Sequence, residues 1–177
     1  LLGVGVGWNW VEFDALGMSF TDRGKRVEEQ IALLRRLWTE PSVTFEGTWH
    51  HVDRAGLNPP PVRRPIPLWM GADTPRAIRR VARLADGYFA HFRPTDEGAA
   101  EAAMFWEWVK EGGRDPKDVG LECRMTATMT DDEIARAGDR FRAMGATDFE
   151  CNTMRAGFRS PDEHLAAYRR FIERVGA

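Results

Sequence analysis

Ile66-Pro67-Leu68-Trp69-Met70-Gly71-Ala72-Asp73-Thr74-Pro75 leads from an apolar strand through a glycine turn into the first turn of a helix. The helical pattern continues through Ile78, Val81, Ala82 and Ala85. Thr74 is placed to cap that helix, Pro75 is pre-set for its first turn, and Gly71 permits a close approach to the backbone. Free N–H groups at such a junction attract an anion, and a phosphate on a cofactor or substrate is the usual biological one. Taken alone, the same residues also make an ordinary strand-to-helix turn with a good cap. The decision rests on what surrounds them.

Downstream the rhythm is regular. The helix from Pro75 ends near Asp86-Gly87, a short strand Tyr88-Phe89-Ala90 follows, and a helix runs from about Thr95 to Glu111. Val119, Leu121, Cys123, Met125, Ala127 and Met129 then alternate with Gly120, Glu122, Arg124, Thr126 and Thr128, a strand period of two. Thr130 with Glu133 forms a capping box ahead of a helix carrying Ile134, Phe141 and Met144, which Gly145 closes. A strand from Thr147 to Asn152 follows. Ser160, Pro161 and Glu163 open a last helix with Leu165, Tyr168, Ile172 and Val175 along one face.

Upstream, Leu2-Gly3-Val4-Gly5-Val6-Gly7 alternates branched residues with glycine, so one strand face is bare backbone that something is expected to approach closely. Asn9 and Glu12 are spaced as a capping box for a short helix that Gly17 stops. A longer helix from about Asp22 to Trp38 carries Val27, Ile31, Leu34 and Trp38 as its apolar stripe, with Arg26, Glu29 and Arg35 off it. Val43-Thr44-Phe45 and Thr48-Trp49-His50-His51-Val52 flank Glu46-Gly47 and read as a hairpin. Proline-rich sequence from Pro59 to Pro67 returns the chain, extended, to the strand of the opening motif.

Five strands, each followed by a helix, define an α/β chain with a parallel sheet, either an open doubly wound sheet or a closed eight-stranded barrel. An open dinucleotide-binding sheet places its glycines in the loop after the first strand. Here they occupy the strand and Trp8-Asn9-Trp10 follows, which argues against that option. The 177 residues suit one domain; 43% are apolar and 29% charged, as in ordinary globular chains. A net charge of −2 without a basic block argues against nucleic acid as a partner. Nothing resembles a membrane span or a signal peptide, so a cytoplasmic location is expected. Cys123 and Cys151 fall in strand patterns and are expected to be packing residues, and no metal-ligand spacing or nucleophile motif occurs.

Gly5-Val6-Gly7-Trp8-Asn9 with Glu12-Phe13, Leu16-Gly17, Arg23 and Arg26, leading to Leu33-Leu34-Arg35-Arg36-Leu37-Trp38, resembles the middle of the bacterial luciferase-like monooxygenase family. Val43-Thr44-Phe45-Glu46-Gly47 and Pro59-Pro60-Pro61-Val62 are similar to its insertion hairpin and proline-rich return. Trp69-Met70-Gly71-Ala72-Asp73-Thr74-Pro75, with Ala82 and Ala85-Asp86-Gly87, resembles its phosphate-binding turn and the helix beyond. The motifs follow in order over almost the whole chain.

The resemblance implies a TIM-type (β/α)8 barrel, here a partial barrel of about five βα units with a small insertion hairpin, forming one domain over residues 1–177 and lacking the first three units. Those units carry much of the family's ring pocket and substrate wall, and their absence would leave two strand edges unpaired. The expectation is therefore a partial sequence or an assembly with another copy or chain. The resemblance also implies a redox cofactor, the deazaflavin F420 or reduced flavin mononucleotide (FMN), acting on a small-molecule substrate. The Gly-Trp-Asn run leans towards F420, and the luciferase branch tends to carry an arginine where Val6 stands. Hydride transfer is the expected reaction, with an FMN monooxygenase or a non-catalytic, cofactor- or partner-binding homologue as alternatives. By carry-over, Gly71, Ala72, Asp73 and Thr74 line the cofactor phosphate, and Gly7, Trp8 and Asn9 lie near the cofactor. The family often has a second glycine at Ala72.

His91 follows a strand of the repeating pattern, where a barrel loop meets substrate, and is the candidate acid or base, a loop histidine bonded to backbone being the alternative. Adjacent His50 and His51 point to opposite hairpin faces and read as rim residues. Glu122 and Arg124 share a strand face and are expected to pair with each other. Trp69, Trp106 and Trp108 read as core. Asp73 beside a phosphate is repulsive unless its carboxylate points away or accepts hydrogen bonds, so capping is its expected role.

Overall fold

The structure is a computed structural model that describes residues 1–176. The chain divides into two compact units, Leu1–Gly71 and one that begins at Ala72. The first contains β1 (Leu2–Val4), α1 (Trp10–Ala15), α2 (Arg23–Thr39), β2 (Val43–Glu46), β3 (His51–Ala55) and β4 (Leu68–Gly71). The second contains α3 (Pro75–Leu84), β5 (Gly87–Ala90), α4 (Asp96–Glu111), a 3-10 turn Pro116–Asp118, β6 (Gly120–Thr126), α5 (Asp131–Ala143), β7 (Asp148–Asn152) and α6 (Pro161–Val175).

In the first unit β1 and β4 pair in parallel, with Leu2 opposite Leu68 and Val4 opposite Met70. The glycine strand is shorter than its alternation suggests. A Cβ at Gly5 would meet nothing within 4 Å, whereas at Gly7, whose φ is +82°, it would lie 2.8 Å from the Phe13 ring, so the close approach expected of the glycine run falls at Gly7. α2 buries Val27, Ile31, Leu33 and Trp38; Leu33 takes the buried place expected of Leu34.

The hairpin departs further from expectation. β2 and β3 are antiparallel with Glu46 opposite His51, and Thr48, Trp49 and His50 form the turn instead of a strand. The cause lies on α2. The Glu29 carboxylate accepts the backbone N–H of Thr48 at 2.7 Å, of Trp49 at 2.9 Å and of His50 at 2.8 Å, and contacts His50 Nδ1 at 2.8 Å. Asp22, expected near the start of the helix, uses its carboxylate to accept from Trp49 Nε1 at 2.9 Å and makes no side-chain cap.

In the second unit β5, β6 and β7 are parallel, with Tyr88 opposite Leu121 and Cys123 opposite Phe149. Leu121, Cys123 and Met125 are completely or almost completely buried, and the alternate residues face the other way, as the period of two requires. Phe105 of α4 lies 4.9 Å from both the Tyr88 and Trp106 rings, centroid to centroid. Ile134 and Phe141 of α5 are fully buried. The capping box of Thr130 with Glu133 forms as read, and Ser160 with Glu163 makes a second one at the start of α6. Arg114 Nη1 donates to the carbonyls of Ala82 and Ala85 at 2.9 and 2.7 Å, closing the C-terminal end of α3.

α6 corrects one expectation. It buries Phe171 and Val175, a pair four residues apart, whereas Leu165, Tyr168 and Ile172 stay exposed. Val175 is common to the expected stripe and to the face that packs, and the two faces are offset by about a sixth of a turn.

Candidate functional site

The turn after β4 forms as its sequence dictates. Thr74 is extended, its Oγ1 accepts from the N–H of Ala77 at 3.4 Å, and Pro75 occupies the first turn of the ten-residue α3. A Cβ at Gly71 would meet nothing within 4 Å, so the space beside the turn is open. Ala72 is buried and its carbonyl accepts from Tyr88 Oη at 2.9 Å, tying the turn to the core of the second unit. An open turn at a helix start, with a small residue on either side of the approach, fits a phosphate.

Asp73 does not cap the helix. Its Oδ1 contacts His91 Nδ1 at 2.5 Å, with both side chains more than half exposed. The candidate base and the most problematic member of the phosphate turn are thus partners. Sequence spacing gave no sign of this, because they lie on successive strand-to-helix connections 18 positions apart.

The β1 loop starts at the same sheet edge as β4 ends, since Val4 and Met70 are in register. Gly7 takes its positive φ against Phe13, whose ring would be 2.8 Å from an added Cβ. Arg23 Nε donates to the Gly7 carbonyl at 3.0 Å, and Arg23 also stacks on the Phe20 ring at 3.5 Å. Asn9 accepts from the N–H of Val11 at 3.2 Å and donates to Glu12 Oε1 at 2.9 Å, so its polar atoms serve the cap of α1. Trp8 is 86% exposed. In this unit Trp8 is the member of the trio with a free surface to offer a ligand.

His50 and His51 meet Glu29 and Glu46 respectively and belong to the hairpin. His164 contacts Thr153 Oγ1 through Nδ1 at 2.9 Å. Trp69 is buried, Trp106 donates to the Met144 carbonyl at 2.7 Å, and Arg79 lies over the Trp108 ring. Cys123 is buried, which pushes its thiol up to about 12. Among the described residues no group of three or more His, Cys, Asp or Glu side chains is arranged to hold a metal ion.

Arg124 corrects the remaining expectation. It pairs with Glu150 across the β6–β7 register, Nε to Oε2 at 2.7 Å, not with Glu122 on its own strand. Cross-strand neighbours are closer than residues two apart along one strand. Burial pushes the Glu122 carboxyl up to about 7, helped by the Glu150 charge and hydrogen bond and opposed by Arg124. An unfolded glutamate loses its proton near pH 4.3, so between there and about 7 the folded chain holds the extra proton, and stability falls as pH rises. Glu122→Gln is expected to remove this slope, raising the melting temperature at about pH 8 and leaving it unchanged at about pH 4. Equal gains at both pH values in thermal melts would refute it.

The profile of the luciferase-like monooxygenase family matches residues 1–175, and the chain belongs to that family. It is 32% identical over 152 residues to an F420-dependent hydroxymycolic acid dehydrogenase of Mycobacterium tuberculosis, covering 83% of this chain and 41% of that protein. It is 31% identical over 153 residues to an F420-dependent glucose-6-phosphate dehydrogenase of Nakamurella multipartita, covering 84% of this chain and 43% of the relative. The chain thus spans less than half the length of these relatives. Among solved structures, the monooxygenase RslO1 from Streptomyces bottropensis superposes with a TM-score of 0.75 at 20% identity, over 98% of this chain and 67% of that one. An F420-dependent secondary alcohol dehydrogenase, in complex with an F420-acetone adduct, matches with a TM-score of 0.57 at 18% identity, over 97% of this chain and 60% of that one. These likenesses establish the fold as α/β of the TIM-barrel type, with this chain carrying five parallel strands and their helices. No helix among the described residues is long and apolar enough to cross a membrane.

Proposed function

We propose that this chain is the phosphate-end portion of an F420-dependent oxidoreductase that passes a hydride between the deazaflavin and a small organic substrate. The observation that carries the reading is the identity above 30% to two dehydrogenases named as F420-dependent, extending through the open Gly71–Thr74 turn. Bound F420 would supply the two-electron chemistry, and the protein would supply orientation and exclusion of water. In this reading the N–H groups of Ala72, Asp73 and Thr74, at the positive end of α3, hold the phosphate. Gly71 keeps the approach clear; in the first unit Trp8 leaves its indole exposed. Gly7 and Asn9 set the loop that carries Trp8.

A hydroxyl-bearing substrate is in keeping with the same relatives, which are named as dehydrogenases of hydroxymycolic acid and of glucose 6-phosphate. The second reading is an FMN monooxygenase. It is favoured by RslO1 as a fold neighbour and by the indifference of a phosphate turn to the ring attached. A homologue that binds cofactor without turnover is the third.

Oxygen separates the first two. Under the F420 reading, an alcohol panel bleaches oxidised F420 anaerobically in the presence of the chain, and reduced FMN causes no protein-dependent oxygen uptake. Oxygen uptake with reduced FMN, together with no bleaching of F420, would overturn it.

A further inference from the structure

We propose that Arg23 is a positioning residue for cofactor binding: its guanidinium clamps the loop after β1 and so holds Trp8 in place to meet the ligand. The inference rests on the F420 reading above and adds to it a residue of α2 that acts through the loop.

The loop needs an outside restraint. Gly7 sits at φ +82°, a region glycine enters freely, and glycine has more backbone freedom to lose than any other residue. The helix to which the loop leads, α1, is six residues long and buries none of them, so its own packing does little to fix the loop. Asn9 and Glu12 cap that helix locally. Trp8 is nevertheless 86% exposed and Trp10 62% exposed. Indoles on an unrestrained loop are driven onto the nearest apolar surface, so something holds these outward.

Arg23 supplies the restraint. It is the first residue of α2, 16 positions after Gly7, and its Nε donates to the Gly7 carbonyl at 3.0 Å while Nη1 donates to the Phe20 carbonyl at 2.7 Å. The guanidinium lies over the Phe20 ring at 3.5 Å, and Phe20 meets Phe13 of α1 edge to face with ring centroids 5.4 Å apart. Phe13 in turn presses on Gly7, where an added Cβ would stand 2.8 Å from its ring. Gly7, Phe13, Phe20 and Arg23 therefore close a ring of contacts around the loop. A planar guanidinium can bond two carbonyls and stack at the same time, which a single ammonium on a flexible stem cannot do. Arg26, one turn further along α2, is taken by Asp22 at 3.5 Å and by the Met18 sulfur at 3.4 Å, so it is no substitute. A loop fixed before the ligand arrives spares the cost of ordering it on binding.

The test is equilibrium dialysis of the 177-residue chain against F420 for the unaltered protein, Arg23→Gln, Trp8→Ala and the double variant, each with a thermal melt. Arg23→Gln is expected to weaken binding about three- to tenfold, the cost of ordering one side chain on binding, and Trp8→Ala at least as much. Because Arg23 acts through the loop, the double variant is expected to bind no more weakly than Trp8→Ala alone, whereas a general loss of stability would add its own effect. A second readout needs no ligand. In protein made with fluorinated tryptophan, the Trp8 resonance, assigned by its loss in Trp8→Phe, is expected to narrow and move towards that of the free amino acid in Arg23→Gln. Arg23→Lys, which keeps an aliphatic stem beside Phe20, replaces Arg23→Gln if that variant unfolds, and the same results are expected of it. Unchanged affinity in Arg23→Gln or in Trp8→Ala, additive losses in the double variant, or an unmoved Trp8 resonance would overturn the inference while the cofactor reading stands. Failure of the unaltered chain to bind F420 would overturn the cofactor reading, and this inference with it.

Discussion

Phe105→Ala is expected to destabilise the second unit by about 3–5 kcal/mol, the range for deleting a fully buried aromatic side chain. The ring has no exposed surface and sits 4.9 Å from Tyr88 on one side and 4.9 Å from Trp106 on the other. Two losses combine: transfer of the ring from water is forfeited, and a cavity remains because neighbours on β5 and α4 are each fixed elsewhere. Tyr88 is held by its bond to the Ala72 carbonyl, and Trp106 by its bond to the Met144 carbonyl, so neither relaxes freely into the space. Domains of this size have only about 5–15 kcal/mol of total stability, so the variant approaches the folding limit. Urea unfolding followed by circular dichroism measures it. A loss under about 1 kcal/mol would mean that the site collapses or that the ring is not in the core. Because Tyr88 also tethers the turn after β4, Phe105→Leu, which keeps most of the volume, is the variant in which the turn stays intact.

Glu29→Ala is expected to release the hairpin turn without melting α2. One carboxylate organises three consecutive N–H groups and the His50 ring, and nothing else on α2 replaces it. Hydrogen exchange should show the Thr48, Trp49 and His50 amides losing about tenfold or more of their protection, as expected on removal of hydrogen bonds to a charged acceptor. Amides of α2 around Ile31 should keep theirs, since that helix is held by buried Val27, Ile31, Leu33 and Trp38. Unchanged protection at the turn would show that the antiparallel pairing alone suffices. The pH dependence has a definite sign. Burial would raise the Glu29 carboxyl, but the His50 ring and the three N–H groups outweigh it and hold it below the ordinary value. The contribution is therefore complete above the unfolded glutamate range, near pH 4.3, and is lost as pH falls further through the folded value.

Much of the fold was legible because its signals are local. The period of two over Leu121, Cys123 and Met125, the capping box at Thr130, the helix start at Ser160 and the cap at Thr74 are fixed within a few residues, and each forms as read. What could not be read depends on contacts between distant segments. Thr48–His50 has strand-like composition, but Glu29 lies about 20 positions earlier and supplies the acceptors a strand partner would have given. Arg124 finds Glu150 rather than Glu122 because register, absent from a sequence pattern, sets the neighbour. The stripe on α6 holds only at Val175 for a related reason: helical spacing fits several faces, and packing selects the one with Phe171 and Val175.

The candidate site divides along the same line. Gly71, Thr74 and Pro75 announce a turn that can take an anion, and the structure forms it. That Asp73 would face His91 was not legible, whereas Asn9 caps α1 as its spacing to Glu12 indicates. The F420 reading draws its strength from the relatives named as F420-dependent rather than from any one side chain.

The most direct measurement is a pair of fluorescence titrations of the purified chain, one with F420 and one with FMN, under identical salt and pH. Saturable binding of F420 is expected that is clearly tighter than that of FMN and is weakened when bulk is introduced beside the turn by Gly71→Val. Tighter binding of FMN, or F420 binding indifferent to Gly71→Val, would contradict it.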